Sequence, residues 1–312
     1  MRNRFSFLPP LAVLARLVNR EAVSQQRSGS PSPMAQGFTM MVLLAVAFIA
    51  RADDASSQQL VTNSAKNLLA LPGLDAEFHY KVQAFGESLA GTGRYLQAGP
   101  GPEKLFRLEL STQLEDYKAT QTTIAGKQFL WIRRDFGPDQ RSLARVSLRR
   151  LREAIEEAGP PLAIDPSPTW LGVVSLPKML GAIGNWFEFE AAQEATLSHR
   201  RVLKLRGRMN TDLRTQLLST KKGKIGEQIP DAIELTLGTD QALPLFPYRI
   251  EYLKRLGKDE TLTPMLTLDF FSAKVRGEID LQQFDYFPGD QEVEDRTRLF
   301  LERLGLASKD EK

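Results

Sequence analysis

The side chains in this 312-residue chain that could do chemistry are few and scattered. Two histidines, His79 and His199, each fall among the polar positions of a predicted strand or turn. Neither has a second histidine, a cysteine or an acidic motif at metal-ligand spacing, so both read as solvent-facing rather than as a base or ligand. Asp269, Asp280 and Asp285 would have to converge to serve as the acid and base of a hydrolase, and solvated or ion-paired carboxylates are the commoner fate. Gly91 and Gly93 do not complete a dinucleotide fingerprint, and Gly86-Glu87-Ser88 is not a nucleophile elbow. With no cysteine there is no disulfide, thiol nucleophile or Cys-bound zinc. The expectation is a protein that is not an enzyme and that needs no cofactor or metal.

The elements that would have to position such groups say more. Within Ala76 to Phe85, Phe78, Tyr80 and Val82 alternate with Glu77, His79, Lys81 and Gln83, the period of a strand with one dry face. Glycines and prolines from Gly86 to Pro102, then Ala125-Gly126-Lys127, punctuate the following segments. Residues 74–134 thus read as an antiparallel meander of about five strands, joined by connections too short for helices. A helix over Gln58–Leu71 precedes it. A surface helix follows from Leu148 to Ala158, with Arg149/Glu153 and Arg152/Glu156 at i,i+4 and a stop at Gly159. Further strands are expected over 187–194, 202–208, 233–237, 248–256, 265–271 and 274–284. Asn210–Leu218 reads as a short helix, and a last helix is capped by Asp290, with Val293, Thr297, Phe300, Leu301 and Leu304 on one face.

A different kind of segment lies between these halves. Ser167-Pro168 suggests a helix start, and the residues to Trp186 carry Lys178 as their only charge. A helix apolar all round must be covered on most sides. Internal Pro177 and three glycines predict a break into two pieces. This segment is expected either to fill the open side of the sheet or to act as a movable lid over a cavity.

The first fifty residues read as a leader. Phe38–Ala50 is an uncharged apolar run too short to span a bilayer, followed by Ala50-Arg51-Ala52, which predicts signal-peptide cleavage after Ala52 and a periplasmic or secreted protein. Met1, Met34 and Met40 are all candidate starts. Six arginines against Glu21 in residues 1–52 account for more than the whole net charge of +3, so no nucleic-acid partner is expected. A single domain over 53–312 is expected, with a helical insertion near 148–186.

The order of elements, together with Gly93-Arg94-Tyr95-Leu96, Leu105 to Leu110, Ile124 to Trp131 and Phe284-Asp285-Tyr286-Phe287-Pro288 with Val293 and Asp295, resembles the LolA-like lipoprotein-carrier superfamily. The resemblance implies an α+β fold: a curved antiparallel sheet of about 10–11 strands forming an incomplete barrel, with helices plugging its concave side. It implies an exported carrier that binds a lipid or the acyl chain of a lipoprotein, as a monomer with a transient envelope-protein partner. Candidate cavity-lining residues are Phe78, Tyr80, Phe106, Leu108 and Trp131 from the sheet, with Trp170, Val174, Met179 and Ile183 from the plug. The carriers' lid-latching arginine precedes the third strand, where this chain has Pro100-Gly101-Pro102-Glu103. The alternative is the same shell with a filled core, serving as an envelope protein-interaction or stress-sensor module. Cavity volume discriminates the two.

Overall fold

The computed structural model describes residues 54–84, 87–99, 101, 103–114, 117–137, 140–159, 171–220, 229–255, 261–304 and 306. The leader, the Ser167-Pro168 helix start and Trp170 lie outside them. Among the described residues no helix is long and apolar enough to cross a membrane.

The chain opens with helix α1 (Asp54–Ala70) and enters the expected meander: β1 (Gly73–Ala84), β2 (Glu87–Ala98), β3 (Leu105–Leu114), β4 (Tyr117–Ala125), β5 (Phe129–Asp135) and β6 (Arg141–Ser147). Helices α2 (Leu148–Ala158) and α3 (Leu176–Trp186) follow. The second half runs β7 (Phe187–Phe189), β8 (Gln193–Leu197), β9 (Arg200–Met209), α4 (Thr211–Thr220), β10 (Ala232–Gly238), β11 (Pro247–Arg255) and β12 (Leu262–Arg276). A 3-10 turn (Leu281–Phe284), β13 (Glu294–Asp295) and α5 (Thr297–Leu304) close it.

All thirteen strands belong to one sheet, in the order β13-β6-β5-β4-β3-β2-β1-β12-β11-β10-β9-β7, with β8 also on β9. Neighbours are antiparallel except β13 on β6. The count exceeds the expected 10–11 because β7 and β13 have only three and two residues. The two ends do not meet, so the sheet is an open, incomplete barrel with α1 and α3 packed together on its concave side.

Several boundaries differ from expectation for local reasons. The segments 265–271 and 274–284 are one strand followed by a 3-10 turn that Asp280 caps by accepting from the Gln282 N–H at 2.9 Å. Asp290 does not start the last helix. Residues 294–295 pair with β6 instead, and Asp295 accepts from the Thr297 N–H at 3.1 Å, so the helix begins seven residues later. Pro177 does not kink a helix: it lies in the first turn of α3, where its missing N–H costs nothing.

Gly91 and Gly93 have a packing role. In register they face Tyr80 and Phe78, and a Cβ at either glycine would collide with the opposing ring. The two aromatic side chains of β1 lie across β2 only because nothing projects there.

On the outer face, Asp75 of β1 is held by Arg94 of β2 at 3.0 Å and Arg276 of β12 at 3.2 Å, stitching the central three strands. The Arg94 hydrogen bond, aided by both positive charges, outweighs burial and keeps this carboxyl below the usual range. A depressed folded-state value means stability that is complete above the unfolded value near 4 and is lost as pH falls through the folded one. Urea midpoints at pH 6 and pH 3 should therefore differ less in Asp75→Asn than in the wild type. An equal or larger difference would refute this assignment.

Candidate functional site

Strand alternation decides which side chains reach the concave face. On β1, Phe78 and Tyr80 are 1% exposed, and Phe106 and Leu108 on β3 are equally shut in. On β5 the inward residues are Leu130 and Ile132. Trp131 between them points outward, a correction to its expected place in the cavity and the result of period-two geometry. It packs instead in a separate cluster on the convex side with Leu96, Ile124 and Phe284, its ring 5.3 Å from Tyr286. The segment 279–286 covers that outer patch, with the Phe284 carbonyl so close to Gly126 that a Cβ there would stand 2.9 Å away.

Helix α3 seats itself on the concave wall with Leu176, Met179, Leu180, Ile183 and Trp186 buried. Helix α1 packs against it at Gly184: Val61 lies beside this glycine, and the Gln58 side-chain amide donates to its carbonyl. A buried polar relay ties these helices to β2. The Leu176 N–H donates to the Tyr95 hydroxyl at 3.0 Å, that hydroxyl donates to Gln97 Oε1 at 2.8 Å, and Gln97 Nε2 donates to the Leu68 carbonyl at 3.0 Å. Burial pushes the Tyr95 phenol well up, so it remains a neutral donor.

The space under the plug is almost gone. Phe78, Leu108, Val174 and Met179 do come together, with Tyr95, Leu171, Leu268 and Phe270, around a cavity of about 20 Å³. That is room for about one water. Tyr80 and Ile183 belong to the same core but do not line it.

A larger pocket, of about 240 Å³, opens beside the plug, between α2, the start of α3 and the β3–β4 end of the sheet. Phe106, Leu148, Leu151, Ile155, Val173 and Val174 make its floor. Its rim is charged: Glu103, Lys104, Lys127, Arg152 and Lys178. Helix α2 is fixed there by its N-cap, Ser147, and ends at Gly159, whose φ of 67° only glycine adopts easily. Arg149 pairs with Glu153 at 2.9 Å as its spacing predicts, but Arg152 does not take Glu156. It turns to Glu103 at 3.3 Å, and Lys178 of α3 reaches the same carboxylate at 2.6 Å. Burial works to raise the Glu103 carboxyl, but the Lys178 hydrogen bond and the two cations prevail and hold it low.

Sequence reasoning found Phe106 and Val174 of this pocket and missed its rim. The available signal was Lys178, the lone charge in an apolar segment, which needs an acidic partner.

The residues considered for catalysis remain apart. His79 lies exposed on the outer face, 4.6 Å from the Phe271 ring. His199 sits in the β8–β9 turn with φ of 67°. Asp269 pairs with Arg249 at 2.5 Å, Asp280 caps the 3-10 turn and Asp285 ends it. Among the described residues no three His, Cys, Asp or Glu side chains gather at metal-binding range.

Fold and site together define a class: an open antiparallel barrel with a helical plug and an amphipathic pocket beside it. No protein-family model matches the chain, and no curated protein does. Among solved structures it is similar to a DUF1329 family protein from Desulfovibrio piger, with 8% identity, 75% of this chain and 98% of that one covered, and a TM-score of 0.36. It is also similar to a LolA superfamily protein from Nitrosomonas europaea (12% identity, 73% and 97% covered, TM-score 0.29). A third likeness is to the Pseudomonas aeruginosa MucA/MucB complex (12% identity, 76% and 62% covered, TM-score 0.37). Likenesses this weak carry no information about ligand or partner.

Proposed function

We propose that this is an exported, non-enzymatic protein of the cell envelope that binds an acyl chain of a lipid or lipidated protein. The observation that carries this reading is the 240 Å³ pocket with its apolar floor. Its driving force is desolvation, about 0.8 kcal/mol for each methylene taken from water. The volume lies below the roughly 300–1,000 Å³ of ordinary ligand sites, which suits a single short chain or the end of a longer one. The space under α3 does not serve in this state, since Phe78, Leu108 and Met179 already fill it. Protein purified without detergent and extracted into organic solvent is expected to release a reproducible lipid, seen by mass spectrometry at near-stoichiometric yield. Clean extracts, together with no uptake of added lipid, would end this reading.

The second reading, a filled shell acting as an envelope protein-interaction or stress-sensor module, is favoured by the 20 Å³ left beneath the plug. It predicts that amide exchange in α3 is unchanged by added lipid, whereas a carrier that opens must lose protection there.

A further inference from the structure

The rim of the 240 Å³ pocket has a polarity its floor lacks. Two cations from two different helices, Arg152 of α2 and Lys178 of α3, converge on one carboxylate, Glu103, which comes from the loop before β3. The next residue, Lys104, is 8% exposed. Its ammonium group is anchored by the carbonyls of Leu71 at 2.8 Å and Gly99 at 2.6 Å. Leu71 and Gly99 line a separate hollow beside the end of α1 and not this pocket, so the Lys104 ammonium is committed there. Lys127, exposed on the same rim, adds a further positive charge, so cationic residues outnumber the one anion in the lining. Glu103 itself is half exposed, with 53% of its side chain in solvent, so no core packing would prevent it from swinging outward. If it did, Arg152 and Lys178 would be left without the anion that now holds them together.

We propose that this rim is a head-group site: Lys178 and Arg152 take the carboxylate or phosphate of a single-chain anionic amphiphile, whose tail lies on the Phe106–Leu151 floor, and Glu103 occupies the anion's place until the ligand displaces it. The proposal rests on the acyl-binding reading above and adds to it the charge of the ligand and the residues that read that charge. Two cations set to bind one carboxylate through charge-assisted hydrogen bonds bind another carboxylate, or a phosphate, by the same geometry.

Calorimetric titration of the full protein with four ten-carbon probes tests it: decanoate, decyl phosphate, decanol and decyltrimethylammonium. Decanoate or decyl phosphate should bind at least about tenfold tighter than decanol, the size of one charge-assisted hydrogen bond. Whichever anion binds tighter assigns the head group. Lys178→Gln should narrow the gap between decanoate and decanol several-fold, because it removes one of the two cations that read the charge. Glu103→Gln should tighten anion binding several-fold by removing the competitor, an effect opposite in sign to that of breaking a structural clip. Equal affinity for decanol and decanoate in the wild type would overturn the head-group site and leave tail binding standing. Failure of all four probes would overturn tail binding itself, and weaker anion binding by Glu103→Gln would overturn displacement.

Discussion

Trp186→Ala is expected to lower the unfolding free energy by about 3–5 kcal/mol, as truncation of a buried aromatic does when its surroundings only partly collapse. Trp186 is the last residue of α3, is wholly buried, and belongs to the core that includes the sheet wall and Val61 of α1. Its carbonyl also accepts from the Asn210 N–H at 3.0 Å, at the start of α4. A loss of that size is about a fifth or more of the total stability of a typical domain. Chemical denaturation would measure it against Glu190→Gln, an exposed partner of Arg208 whose loss should stay within about 1 kcal/mol. A Trp186 effect as small as the control's would mean that α3 does not hold the concave wall.

The second large effect concerns the relay under the plug. Gln97→Met keeps most of the volume of a fully buried side chain and removes both of its hydrogen bonds. The Leu68 carbonyl and the Tyr95 hydroxyl then stay in the core each short of a partner, at about 1–3 kcal/mol apiece. A total of about 2–6 kcal/mol is expected from urea denaturation. Tyr95→Phe in the same background should cost less than it does alone, since its bond to Gln97 is already gone. Strict additivity of the two would show that the three groups do not act as one chain.

Much of the fold could be read from residue patterns because a half-buried sheet writes its period plainly. Phe78, Tyr80 and Val82 alternate on β1, and all three are buried. The surface helix 148–158 announced its stop, and it ends at Gly159 as the spacing predicts. Failures came where a partner far along the chain overrides the local pattern. Trp131 looked like a core residue because aromatic residues usually are; its covering, Phe284 and Tyr286, arrives about 150 residues later from a segment that was expected to be a strand and is not one. Arg152 had a satisfactory local partner in Glu156 and left it for Glu103, which no helical spacing could reveal. For the same reason the floor of the pocket was half legible and its rim was not: apolar faces have a period, whereas convergence of charges from a loop and two helices has none. Whether the plug left a void was a question of volume, and residue order does not encode volume at that resolution.

The pairing of β1 with β12 has a consequence for how the protein comes into being. Gly73 lies opposite Arg276, so the strand at the middle of the sheet waits for a neighbour made about two hundred residues later, a separation that slows assembly. Until then Phe78 and Tyr80 have a wall on one side only. The half-synthesised chain is thus the form most exposed to aggregation, and the form in which a holding chaperone would matter most.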